Sequence, residues 1–237
     1  SSSGNTFLLK EFFGIEASLF LETWLHLASL LAVLIFFRKR IYDLMVGFLK
    51  VVTKRTLSPD GVDSFKIIVA TLFTFPSVYL LDRIFSFEDF LTTTTVAATL
   101  IITGILIIIA EKAHLGKADL SWTLVMFLGL VQGLAVFPGI SRSGLTISFL
   151  IFMGVAKRKS AEFSFLLAIP TILAAFLIRL TELDNFDFLL RPEMWYVFIA
   201  SFIASVASIK YMMKLVEGKW IYFAPYCLLV GGLILAL

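Results

Sequence analysis

The chain has 237 residues, of which 59% are hydrophobic and only 16% charged, with a mean hydropathy of +0.98. An average soluble domain carries about 25% charged residues, so a water-soluble fold would lack polar surface, and the composition indicates one integral membrane domain. The formal net charge is only +3 and the Lys and Arg residues gather at the ends of apolar runs, which excludes a nucleic-acid binder and fits the positive-inside bias.

A spanning helix needs about 20 apolar residues to cross a hydrocarbon core of about 30 Å. Six segments qualify: 19–37, 64–81, 94–110, 160–180, 195–212 and 219–237. Arg38-Lys39-Arg40 closes the first and Lys66 opens the second, so the intervening loop is expected inside. Glu111-Lys112 and Lys117 return the chain to that side, and Lys157-Arg158-Lys159 starts the fourth span there. Lys210 and Lys214 end the fifth span inside, and the sixth runs outward from Lys219. The acidic residues Glu182, Asp184 and Asp187 form an outer loop. Cys227 lies within the last span, where it packs, and neither a disulfide nor a cysteine metal cluster is available.

Between Lys117 and Lys157 lies an apolar stretch with positive charge at both ends, interrupted by Phe137-Pro138-Gly139-Ile140-Ser141-Arg142-Ser143-Gly144. Pro lacks a backbone donor and Gly tolerates positive φ, so the middle is expected to be a non-helical turn. The arm 144–156 is about 20 Å long as a helix, too short to cross. A re-entrant hairpin is therefore predicted. In the competing arrangement 120–137 is a full span, Lys157-Arg158-Lys159 lies outside, and everything downstream is inverted.

An ungapped offset of 140 positions aligns Ser1 with Ser141, Ser3 with Ser143, Gly4 with Gly144, Thr6 with Thr146, Gly14 with Gly154 and Glu22 with Glu162. The charge flanks of the two copies are reversed, as in an inverted-topology repeat whose halves meet near the midplane. The expected architecture is thus an all-α membrane protein of about six transmembrane helices plus re-entrant hairpins, repeat 1 covering roughly 1–110 and repeat 2 roughly 119–237. The partner of the arm 119–140 is expected to precede Ser1, so about 20 residues of the first repeat lie upstream.

Arg142 near mid-depth is costly, about 2.5–3.5 kcal/mol on insertion scales. Around it stand the Ser141, Ser143 and Thr146 hydroxyls, the backbone amides of Gly139 and Gly144, and the N-terminus of the following half-helix. These are the parts of an anion cradle suited to a phosphate or diphosphate. The alternative is that Arg142 pairs with Glu22 or Glu162 and only locks the fold. Gln132 either donates to the same anion or bonds between helices. His26, one turn after Glu22, suits a packed neutral imidazole better than a proton relay. Glu22 and Glu162 suit helix capping, and His114 a solvated loop. The 25 Phe residues supply lipid-facing and interhelical packing.

The run Gln132-Gly133-Leu134-Ala135-Val136-Phe137-Pro138-Gly139-Ile140-Ser141-Arg142-Ser143-Gly144-Leu145-Thr146 closely resembles the second signature of the undecaprenyl-diphosphate phosphatase family, the bacitracin-resistance phosphatases. The likeness extends to Phe163-Ser164-Phe165-Leu166-Leu167-Ala168-Ile169-Pro170 and to His26-Leu27 through Arg38-Lys39-Arg40. The opening Ser1-Ser2-Ser3-Gly4 resembles the end of the first signature. The resemblance implies hydrolysis of the terminal phosphate of a C55 polyprenyl diphosphate, recycling the cell-wall carrier lipid. It further implies a bacterial cytoplasmic membrane location with the site open to the periplasmic side, and a divalent cation, Mg or Ca. A homodimer stays open.

On that resemblance Ser2 is the nucleophile or a phosphate donor, Ser1, Ser3 and Gly4 join the cradle, and Asn5 stands where the family has His. Asn hydrogen-bonds but shuttles no proton near neutral pH, so impaired chemistry is expected of this chain. The family's acidic residues precede the Ser-Ser pair, so no metal ligand is identifiable here. A transporter of the same lipid phosphate is the alternative, since inverted repeats with broken helices serve alternating access. A purely structural membrane protein would leave Arg142 dispensable.

Overall fold

The structure is a computed structural model, and it describes residues 19–85, 92–113, 116–181 and 192–236. Those residues form helices α1 (Leu19–Phe36), α2 (Arg38–Lys54), α3 (Pro59–Phe85), α4 (Thr93–Ala113) and α5 (Trp122–Gly133), followed by α6 (Arg142–Phe152), α7 (Lys157–Thr181), α8 (Pro192–Gly218) and α9 (Ala224–Ala236). Among the described residues there is no β-strand, only an isolated bridge between Ala118 and Val155. Four helices, α3, α4, α7 and α8, are long and apolar enough to cross a membrane. The protein is an all-α membrane protein.

Two expected boundaries moved for physical reasons. Arg38-Lys39-Arg40, read as a cytoplasmic loop, instead opens the 17-residue helix α2. The ladder runs through Phe37, which donates to Val33 O at 2.9 Å and accepts from Ile41 N at 2.9 Å. The actual loop is confined to 55–58. Ser58 caps α3 by accepting from Gly61 N at 3.1 Å, and Pro59 takes the first helical position, where its missing N–H costs nothing. The last expected span, 219–237, is a 3₁₀ turn at Trp220–Phe223 followed by a helix of only 13 residues.

The chain divides into two compact units. In the first, which holds the described residues of 69–164 and 215–236, α9 runs antiparallel to α4 over a core of Val96, Ala97, Leu100 and Ile234. Small residues bring the backbones together, as membrane interfaces require. A Cβ on Gly231 would lie 2.8 Å from Ala97 O, and one on Gly104 2.9 Å from Leu228 Cγ.

The second unit holds the described residues of 19–68 and 165–214. Here α1 and α8 run parallel: Trp24 Nε1 donates to Met194 O at 2.9 Å at one end, and Val33 and Phe37 share a core with Ile209 toward the other. The α2–α3 hairpin closes against this core through Leu44. Arg40 pairs with Asp60 and, at 2.7 Å, with Asp63, while Gly47 and Gly61 let the two helices touch.

Candidate active site

The predicted hairpin is α5, a 3₁₀ turn at Leu134–Val136, a bend at 137–141, and α6. Ser121 caps α5, accepting from Leu124 N at 3.2 Å. The two ends of the hairpin meet, since Ala118 N donates to Gly154 O at 2.8 Å beside the Ala118–Val155 bridge. The chain therefore enters and leaves by one face. The arrangement in which 120–137 crosses alone is excluded, because α5 has 12 residues and α6 has 11, about 18 Å and 17 Å long.

Ion pairs confirm that shared face within this unit. Lys157 Nζ reaches Glu111 at 2.6 Å and Gly218 O at 3.3 Å, Arg158 pairs with Glu217 at 2.8 Å, and Lys159 with Asp119 at 3.4 Å. The end of α4, both ends of the hairpin, the start of α7 and the end of α8 thus lie together, as the charge pattern predicts.

The bend sits at half-depth. Ser141 N–H donates to Thr103 Oγ1 at 3.4 Å, and Thr103 is the middle residue of the 21-residue α4. Phe137 is extended, as the residue before Pro must be, and Gly139 has φ +90°. Pro138 O accepts from Thr99 Oγ1 at 2.6 Å, pinning the bend to α4.

The helix begins earlier than expected. Ser141 is the N-cap, and Arg142, Ser143 and Gly144 form the first turn of α6 rather than the bend. One consequence corrects the cradle as read from sequence: the Gly144 amide is not free, because it donates to Ser141 Oγ at 3.2 Å.

Arg142 Nη1 donates to Ser164 O at 3.2 Å. Among the described residues Arg142 forms no ion pair, so Glu162 does not neutralise it. Among the described residues the remaining N–H groups of the guanidinium have no acceptor, in a half-buried setting at mid-depth. Thr146 Oγ1 donates to Arg142 O at 2.8 Å, which leaves Ser164 Oγ as the donor in the 2.6 Å bond between the two hydroxyls. Both residues are fully buried. Thr146 and Ser164 thus fix the backbone and side chain of Arg142, and the Thr146 hydroxyl is committed within the protein.

Gln132, buried in α5, donates from Nε2 to Thr74 Oγ1 at 3.0 Å, while the Thr74 hydroxyl donates to Ala70 O at 2.9 Å. Gln132 Oε1 is buried without a hydrogen-bond partner. Gly139 and Ser141 belong to the bend, and Arg142, Ser143, Gly144 and Thr146 to the first two turns of α6. Ser1, Ser2, Ser3, Gly4, Asn5 and His114 lie outside the described residues, as does the side chain of Glu22. His26 is half-buried in α1, Glu162 is half-buried in the second turn of α7, and Cys227 is a buried free thiol.

Ser164, Thr74, Thr99 and Thr103 are site-building residues that the sequence analysis did not single out. Thr99 and Thr103, four apart on one face of an apolar helix and both buried, carried a readable signal. Ser164 stood only within the run 163–170 that extends the likeness, with no role attached to it. Among the described residues no group of three or more His, Cys, Asp or Glu side chains could hold a metal ion. The described residues therefore do not by themselves fit the divalent cation that the resemblance implies.

The family model described as "Bacitracin resistance protein BacA" matches residues 1–233. The chain belongs to this family. Undecaprenyl-diphosphatase 1 of Shouchella clausii (strain KSM-K16) is 35% identical over 99% of this chain and 88% of the relative. Undecaprenyl-diphosphatase of Oceanobacillus iheyensis is 37% identical over 99% of this chain and 89% of the relative. A third relative of that name, from Methanosphaera stadtmanae, is 35% identical over 98% of this chain and 88% of its own length. The stretch 132–146, which carries the resemblance, holds the bend that packs against the middle of α4.

Proposed function

We propose that this chain is an undecaprenyl-diphosphatase, a membrane hydrolase that removes the terminal phosphate of the C55 carrier lipid diphosphate. The observation that carries the reading is Arg142: a guanidinium at half-depth whose hydrogen-bond partner among the described residues is one neutral carbonyl, Ser164 O. Such a charge is stable in a bilayer when an anion shares the site, and the planar fork matches phosphate oxygens two at a time. The positive end of α6 adds to the same field.

In the reaction, an oxygen nucleophile attacks the terminal phosphorus and the P–O bond to the lipid phosphate breaks, the electrons leaving on undecaprenyl phosphate. Arg142 holds the charge that develops on the non-bridging oxygens. Ser2 Oγ is the proposed nucleophile or phosphate donor, and a phosphoserine, where formed, is released by water. Position 5 is where a base would take the proton, and Asn5 cannot. Phosphoryl transfer depends chiefly on positioning and charge neutralisation, which a water-poor site strengthens.

The finer reading sets the protein in the bacterial cytoplasmic membrane, with the face carrying Lys157-Arg158-Lys159 inside and the site open to the periplasmic side.

The test is phosphate release from undecaprenyl diphosphate by the purified protein in detergent with Mg²⁺ or Ca²⁺. Release of one phosphate per lipid with undecaprenyl phosphate as product is expected, and Asn5→His is expected to raise the rate by about 10²–10⁴-fold. Binding without release in both versions would favour the transport alternative.

A further inference from the structure

Helix α2 is unlike the spanning helices around it. Arg38–Arg55 contains six basic residues and one acid, Asp43. One face packs on α3 through the buried Leu44 and Gly47, and Arg40 is held by Asp60 and Asp63. A second face is apolar and uncovered: Tyr42, Met45, Leu49 and Val52 are 68%, 61%, 55% and 56% exposed. Their spacing puts them in a single stripe along the helix, and Lys39, Lys50 and Lys54 lie on the flank beside it, all exposed. This is the layout of a helix that rests in a bilayer interface.

Its place in the chain fits. The apolar α1 has 18 residues, about 27 Å of helix, so α2 begins near the edge of a hydrocarbon core of about 30 Å. Phe37, with φ −94° and ψ 15°, departs from helical dihedrals at that point. The stripe also continues into a cavity of about 460 Å³ that Met45 and Leu49 line together with Ile41, Phe48, Ile68 and Pro170. Its polar lining residue is Ser64, whose hydroxyl is spent on Leu44 O and Asp60 O at 2.8 Å each. The recess therefore suits a hydrocarbon chain and offers nothing to a polar headgroup, while the basic flank suits an anionic one.

We propose that α2 seats on the bilayer surface by binding anionic phospholipid, its apolar stripe among the acyl chains and Lys39, Lys50 and Lys54 on the headgroup phosphates. The partner is bulk anionic phospholipid rather than the polyprenyl diphosphate, because the charge is spread along the flank instead of converging on one point. The inference does not rest on the proposed hydrolase activity.

The full chain in a Cys227→Ser background, with a single cysteine at position 45 or 49 carrying a bimane label, is placed in nanodiscs of phosphatidylcholine alone or mixed equally with phosphatidylglycerol. Labels at both positions are expected to be quenched by a nitroxide near the lipid headgroup and shielded from iodide in water. The phosphatidylglycerol retained by the protein, read by mass spectrometry, is expected to fall about tenfold in the triple Lys39→Gln, Lys50→Gln, Lys54→Gln variant. Iodide quenching without lipid quenching would overturn the proposal, since α2 would then project into water. So would shielding from both quenchers with cross-linking between copies, which would mark a protein interface. Equal lipid quenching and equal retention regardless of phosphatidylglycerol or the three lysines would overturn the anionic preference, and the comparison of the two nanodisc compositions reads this without any charge variant.

Discussion

At Gly139 the backbone has φ +90°, and a Cβ there would overlap Thr99 Oγ1 and lie 2.6 Å from Val96 O. An Ala at this position would meet both the left-handed penalty and a backbone wall, so Gly139→Ala is expected to destabilise the protein by about 2–4 kcal/mol. Unfolding of the purified variant in detergent checks this; an unchanged midpoint would mean the bend relaxes away from α4. Proline and glycine announced that bend in the sequence because each restricts or frees the backbone by itself. Ser164 could not be anticipated in the same way, since its carbonyl bond to Arg142 and its hydroxyl bond to Thr146 exist only once α6 and α7 are packed. The Gly144 amide was misjudged for a related reason: Ser141 was counted as a ligand donor, although a Ser just before a helix start is first of all a cap.

The hairpin was legible because two basic flanks enclosed an apolar run too short for two crossings, and the Ala118–Val155 bridge closes it at the expected place. Single cysteines replacing Lys117 and Arg158 in a Cys227→Ser background are therefore expected to label from the same side of the membrane. Labelling from opposite sides would contradict the hairpin. Helix α2 escaped notice because a search for apolar windows stops at Arg38-Lys39-Arg40, whereas an amphipathic helix passes through such charges without interruption. The short α9 follows from Pro225, which has no amide hydrogen and is tolerated only in a first helical turn, so the regular helix starts at Ala224.

Within each unit, the helix ends that lie together are those expected to do so from where Lys and Arg stand. The ion pairs of Lys157, Arg158 and Lys159 bring the predicted ends together in one unit, and the parallel course of α1 and α8 agrees in the other. Chemistry was legible to a smaller extent, because Arg142 and its bend are local in sequence whereas Ser2 and Asn5, whose roles are proposals, lie outside the described residues. The central claim is that Arg142 holds the anionic phosphate undergoing transfer. Phosphate release from undecaprenyl diphosphate by wild type, Arg142→Lys and Arg142→Ala, each shown to be folded, tests it directly. Arg142→Ala is expected to lose about 10²-fold or more, with Arg142→Lys recovering only part because an ammonium lacks the planar fork. Release by Arg142→Ala at the wild-type rate would contradict the account.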